Sequence, residues 1–141
     1  MAQKIRAIAN ARAAYAFEKV KGFVKKAEKE PQKQREYRSY LKKMPAMVQV
    51  NGLGETLAFY YAKGGAYREI YEQIAEWIQK KMPFLIDEGN KGDKKDFIEI
   101  LVNMTSPEYR LVTMEVLALL NWMHRFAEGM IDVKESAQQE Q

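Results

Sequence analysis

Cysteine is absent from this chain, and histidine occurs once. Without cysteine there can be no disulfide, zinc–thiolate centre or thiol nucleophile, and a reducing cytoplasm is the expected location. One histidine, His124, cannot build a two-histidine ribonuclease site or an HD-type metal phosphohydrolase. Nor can it supply the two Glu-x-x-His motifs of a helical di-metal centre. Long hydrophobic runs are also missing. The best of them, Val116–Leu120, falls far short of the ~20 apolar residues of a membrane span, so no membrane partner is expected. No convincing strand alternation or hairpin signal occurs, because Asn51-Gly52 and Gly64-Gly65 lie within helical patterns, and there is no internal repeat. The serines Ser39, Ser106 and Ser136 sit in no nucleophile-elbow context. Gly52-Leu53-Gly54 lacks the Gly-Lys-Ser/Thr ending of a phosphate loop and lies within a helical pattern. It reads instead as a close approach of another backbone, or a kink. No cofactor and no metal are expected.

What is present is helical period. Ile5, Ala9, Ala16, Val20, Phe23 and Ala27 share one face of a helix that runs to about Glu30. The first 17 residues carry basic but no acidic side chains, superficially like a transit peptide, but they read better as the first turns of this helix. Pro31 suits the start of a second helix, with Tyr37, Tyr40, Leu41 and Met44 on its inner face. Pro45 is expected to restart the chain as a further segment through Ala62, closed by Gly64-Gly65. Tyr67, Ile70, Tyr71, Ile74, Trp77 and Ile78 form the cleanest amphipathic stripe, and Pro83 ends it. Residues 84–93 read as a loop. Asp93 is a plausible cap for a short helix through Val102, with Asp96 in its first turn. Ser106-Pro107-Glu108 reads as cap, proline and first-turn acid. The helix that follows, 107–128, is apolar nearly all round, which makes it the centre of a bundle and places Trp122 in the core. Gly129 fits just past its end. The expectation is an all-α, single-domain bundle of about six helices over residues 1–131, with a polar, frayed tail over 132–141.

Charge is divided along the chain. Residues 1–43 hold 13 of the 23 Lys/Arg and 4 of the 19 Asp/Glu, a net of +9, and the remainder is −5. Lys21, Lys25 and Lys29 repeat every four residues, with Lys4 near the same line. Like charges at that spacing disfavour a helix by a few tenths of a kcal/mol each. Lys33, Arg35, Arg38, Lys42 and Lys43 follow, interleaved with Tyr37 and Tyr40. Cations beside tyrosines suit the phosphates and bases of a single-stranded nucleic acid, although packing is the expected role of at least one tyrosine. These eight cations are the RNA-binding candidates. Glu18 and Glu28 partly offset them, as on an ordinary solvated face. Glu69, Glu72 and Glu76 read as a solvated helix flank rather than a metal site. His124 and Glu128, four residues apart, read as a local ion pair rather than an acid–base couple.

Four stretches, taken in order, resemble one family. They are Arg12–Val20 (RAAYAFEKV), Lys43–Tyr60 (KMPAMVQVNGLGETLAFY, in which Met44 follows Lys43), Tyr67–Ile78 (YREIYEQIAEWI) and Glu108–Gly129 (EYRLVTMEVLALLNWMHRFAEG). Together they are similar to the small all-helical subunit of the Cmr-type, or type III-B, CRISPR effector complex. The resemblance implies a non-catalytic protein of antiviral defence. It would stack in copies along a ribonucleoprotein, beside the backbone subunits that carry the guide RNA. There it would help hold the guide RNA–target RNA duplex while other subunits cut. A basic end meeting an acidic end would be a head-to-tail contact, which does not close. Asn51, Gly52, Gly54, Tyr60, Tyr109, Arg110, Thr113, Glu115 and Arg125 read as packing and inter-helix bonding positions, with Arg110 and Arg125 in ion pairs. The competing readings are an unrelated helical RNA- or DNA-binding module, a protein-only structural adaptor and a small ribonuclease.

Overall fold

The computed structural model describes residues 2–83 and 97–132, with side chains from Ala7 onward. Six helices and no strand occur among them: α1 (Ala2–Lys26), α2 (Pro31–Asn51), α3 (Leu53–Lys63), α4 (Gly65–Lys81), α5 (Phe97–Val102) and α6 (Ser106–Met130). The all-α expectation holds. The expected 84–93 loop, the Asp93 cap with Asp96, most of the expected tail, and the side chains of Lys4 and Ile5 lie outside the described residues.

Helix α6 packs mainly against α1 and α2 and also meets α4. Its pairings give its direction. Arg12 meets Glu115 and Phe17 meets Phe126, so α1 runs parallel to α6. Arg38 of α2 reaches Glu128, while Gly54, just past its end, meets Tyr109, so α2 runs the other way. The core of α6 is Val112, Val116, Leu119, Leu120, Met123 and Ala127.

Four local expectations are corrected. Helix α2 continues through Pro45 to Asn51, although an interior proline costs about 3 kcal/mol or more. Leu41, Met44 and Val48 are all buried on one continuous stripe across the proline, and that burial offsets the lost hydrogen bond. The break comes at Gly52 instead, whose φ of +88° suits glycine and little else. Second, α6 is capped one residue earlier than expected. Thr105, not Ser106, accepts from the Glu108 N–H, and the Glu108 carboxylate accepts from the Thr105 N–H. This capping box is present in the sequence as Thr-x-x-Glu. Third, α1 ends at Lys26, and the turn after it tightens so that Glu30 N–H reaches the carbonyl of Ala27. Fourth, α6 runs through Gly129 to Met130. Buried Ile131 anchors the chain beyond it, and the Ile131 N–H still reaches the Ala127 carbonyl at 2.9 Å.

Buried polar groups set the register of the helices. Gln73 is 5% exposed. Its Oε1 accepts from the Tyr37 hydroxyl at 2.7 Å, and its Nε2 donates to the Lys19 carbonyl at 3.4 Å. The Tyr15 hydroxyl donates to its backbone carbonyl. Burial raises the pKa of Tyr15 and of Tyr37 far above the ordinary phenol value, so both stay neutral donors. Glu115 accepts from Arg12 Nε and Nη2 at 2.6 and 2.8 Å, and from Trp77 Nε1 at 2.8 Å. Burial pushes the Glu115 carboxyl up, but hydrogen bonds from Arg12 and Trp77, with the charges of Arg12 and Lys81, outweigh it and hold the pKa below the usual 4.5. Phe23 stacks on Tyr37 at 3.9 Å between ring centres, and Tyr15 tilts against Trp77 at 4.8 Å.

Trp122 is not in the core. It is partly exposed and stacks on Phe126 at 5.6 Å, while Trp77 is 1% exposed. Trp77→Ala is expected to lose about 3–5 kcal/mol and Trp122→Ala about 1–2 kcal/mol, which paired chemical denaturation curves would separate. Glu115→Gln should destabilise the protein by about 2–3 kcal/mol at neutral pH, less than for a fully buried pair because both partners retain some solvent. Because the folded pKa is depressed, this contribution is complete above the unfolded value near 4.5. It is lost as the pH falls through the lower folded value. Wild type and Glu115→Gln should therefore converge in stability on the acid side, read as denaturation midpoints from neutral pH down to about pH 3.

Candidate functional site

The eight basic candidates divide between two flanks. Lys21 and Lys25 are exposed on α1. With Val24, Glu28, Gln34 and Met130 they line a shallow groove of about 440 Å³ at the C-terminal end of α6. Gln34 closes the groove beneath them by donating to the carbonyls of Ala27 at 2.8 Å and Val24 at 3.3 Å. Lys29 lies beyond the end of α1, in the turn before α2, so the four-residue ladder does not continue as one helical row. Neither Lys25 nor Lys29 has an acidic partner among the described residues. Lys21 sits 5.9 Å from the ring centre of Phe17.

On α2 the spacing of Arg35, Arg38 and Lys42 puts them on one side, the side that meets the end of α6. Arg38 is half-buried and stands 3.8 Å from Glu128. His124 Nε2 approaches the other oxygen of Glu128 at 2.6 Å, so the expected local pair is present and Arg38 joins it. Arg35 donates to the Gln32 side chain at 2.9 Å, and Lys42 is exposed. Lys33, in the first turn, lies 4.0 Å from Glu30. The cluster therefore gathers at the carbonyl end of α6, where the helix dipole favours positive charge.

Lys43 faces elsewhere. Its ammonium donates to the Tyr67 hydroxyl at 2.6 Å. Tyr67 stacks on Tyr40 with ring centres 3.7 Å apart, and Lys43 stands 4.9 and 4.8 Å from the two centres. Near-equal distances to two stacked rings place the ammonium at their edges, level with the gap between them, and not over either face. Phe59 and Tyr60 pack edge-on against Tyr67, and the Tyr60 hydroxyl donates to the Tyr40 carbonyl at 2.7 Å. Of the two interleaved tyrosines, Tyr37 is fully buried and Tyr40 is half-buried. The pKa of Tyr40 is raised, first by burial and then by Glu36.

The acidic residues along α4 are matched. Glu69, Glu72 and Glu76 pair with Lys26 at 3.4 Å, Arg68 at 3.9 Å and Lys19 at 2.9 Å. No group of three potential metal ligands occurs among the described residues, and no helix there is long and apolar enough to cross a membrane. At the Gly52-Leu53-Gly54 stretch the approaching group is a side chain rather than a backbone. The Tyr109 hydroxyl accepts from Gly54 N–H at 2.8 Å and would touch a Cβ at Gly52 or Gly54 at 3.5 Å. Gly54, Tyr60, Tyr109 and Glu115 thus bond between elements, and Thr113 bonds back to Tyr109. Arg110 and Arg125 do not follow this pattern. Both are exposed, with no ion pair among the described residues. Sequence reasoning missed Gln73, although a glutamine inside an apolar stripe is the signal for a buried amide.

Taken together, the described residues form an all-α bundle that carries its basic candidates on outer flanks. The family model for CRISPR-associated proteins, Cas_Cmr5, matches residues 8–130, and the chain belongs to that family. It is 27% identical over 97 residues to the CRISPR system Cmr subunit Cmr5 of Thermus thermophilus, across 69% of this chain and 76% of that protein. The crystal structure of a CRISPR-associated Cmr5 family protein from Thermus thermophilus matches the fold with a TM-score of 0.69. The two chains share 27% identity, with 88% of this chain and 97% of that one covered.

Proposed function

We propose that this protein is a small, non-catalytic subunit of a type III-B CRISPR ribonucleoprotein, acting in the cytoplasm in antiviral defence. The observation that carries the reading is the family match over residues 8–130, joined to a fold shared with a family member along almost its whole length. Within the complex the protein stacks in copies beside the backbone subunits and helps hold the guide RNA–target RNA duplex. Lys21, Lys25, Lys29, Lys33, Arg35, Arg38, Lys42 and Lys43 supply the phosphate contacts. The first seven serve the flank around the end of α6, where Lys25, Lys29 and Lys42 have no acid to neutralise them among the described residues. Lys43, with Tyr40 and Tyr67, serves the other flank. Contact with phosphates alone gives no sequence preference.

RNA binding by the purified protein should be weak and should fall steeply with salt. The combined variant Lys21→Ala, Lys25→Ala, Lys29→Ala should flatten the plot of log affinity against log salt by about 0.7–0.9 for each phosphate contact removed. Lys43→Ala alone tests the other flank in the same assay. A slope identical to wild type in the triple variant would remove those three lysines from the RNA interface, and no salt-dependent binding at all would favour the protein-only adaptor. Self-association of the isolated protein should be weak and lost at high salt. Exposed charge pairs contribute below about 1 kcal/mol each and are screened beyond ~8–10 Å. Sedimentation across a salt series reads this, and a closed dimer that survives high salt contradicts open stacking.

A further inference from the structure

The outer side of α6 carries an apolar strip, with only the neutral amide of Asn121 beside it, where the outer side of a bundle helix is ordinarily charged. Leu111 is 45% exposed and Met114 68% exposed, large values for such residues. Ala118 and Trp122, partly exposed, continue the strip at spacings of four. Arg110 and Arg125 mark its two ends, about 22 Å apart at 1.5 Å per residue. The acids of α6 are all engaged elsewhere. Glu108 closes the capping box, Glu115 holds Arg12 and Trp77, and Glu128 meets His124 and Arg38. The two arginines at the ends of the strip have no carboxylate opposite them among the described residues.

We propose that this strip of α6 docks another protein subunit of the complex. Its partner surface is an apolar ridge flanked by carboxylates that meet Arg110 and Arg125. Charge complementarity and the apolar content favour this occupant. An RNA strand carries a charge at every nucleotide, and between the two arginines the strip offers it no cation. Laying phosphates across Leu111 and Met114 would strip them of water with nothing in return. A second copy of this chain is a poorer fit, because its exposed large apolar residues outside the strip, Ile8, Phe17, Val50 and Val102, are spread over α1, α2 and α5 and do not form a ridge among the described residues. The identity of the partner as a subunit of the Cmr-type complex rests on the function proposed above. The shape and charge of the surface do not.

The test is reconstitution. The full chain is co-expressed with the other subunits of its own Cmr-type complex, and the complex is purified through a tag on a backbone subunit, with and without nuclease treatment. The variants are Met114→Glu and the double variant Arg110→Glu, Arg125→Glu, all at exposed positions, each checked for an unchanged thermal midpoint. Hydrogen exchange along α6 of the wild-type chain, free and in the complex, reads the same contact without any substitution. Incorporation of each variant should drop at least about tenfold, the loss expected when a carboxylate is buried against apolar surface or a charge pair is reversed. Exchange along the strip should slow in the complex and stay slow after nuclease. Equal incorporation of wild type and both variants overturns the proposal, as does a strip with unchanged exchange. Protection that disappears with nuclease assigns the strip to RNA, and protection in the isolated chain at high concentration assigns it to a second copy. Either result also overturns the proposal. Failure of the wild-type chain to enter the complex overturns both this inference and the function on which it rests.

Discussion

The carboxylate of Glu115 accepts three hydrogen bonds from two other helices, and the relative placement of α1, α4 and α6 depends on it. Arg12 approaches with two nitrogens at once, a geometry that fixes orientation as well as distance. Trp77 brings α4 to the same carboxylate. An apolar interface alone would tolerate helices sliding by a turn, since one aliphatic contact substitutes for another. A partly buried carboxylate with three defined donors does not, because any slip leaves a charge without its partners. Gln73 plays the same part for α1, α2 and α4, since its side-chain amide and backbone carbonyl together meet Tyr37, the Tyr15 hydroxyl and the Lys19 carbonyl.

This arrangement consumes polar groups inside the bundle and leaves a particular set outside. The inner side of α6 is committed to the core, and its acids are committed to Thr105, Arg12, Trp77, His124 and Arg38. Its outer side is left with an apolar strip, the neutral amide of Asn121 and two arginines. On α1 and α2, by contrast, lysines and arginines gather around the carbonyl end of α6. One helix therefore organises two surfaces of different chemistry, one cationic and polar, the other apolar with cations only at its ends. The two surfaces suit different kinds of partner, because phosphates and apolar ridges demand opposite environments.

The chain belongs to the Cas_Cmr5 family. At 27% identity to its Thermus relatives, most side chains differ while the helical framework remains. Cores tolerate exchange of one apolar residue for another of similar volume. Polar pins such as Glu115 with Arg12 need particular partners, so they tie distant parts of the chain to one geometry more tightly than the apolar contacts around them.

The sequence by itself determined the helical class, the number of helices and most of their inner faces, because a 3.6-residue apolar period is a local property that survives any packing. Ile70, Ile74 and Ile78, read as one stripe at four-residue spacing, are all buried. The local pair of His124 and Glu128 was legible for the same reason, being four residues apart on one helix. Tertiary structure alone decided that Pro45 lies inside a helix, since burial of Leu41, Met44 and Val48 on both sides of it is a long-range gain that no local propensity contains. It likewise decided that Trp122 lies on the rim while Trp77 is enclosed, and that Arg110 and Arg125 face outward without carboxylates among the described residues. It also divided one run of cations into two flanks. Those outcomes depend on which helices neighbour one another and in which direction they run, and a pattern read along one dimension does not carry that information.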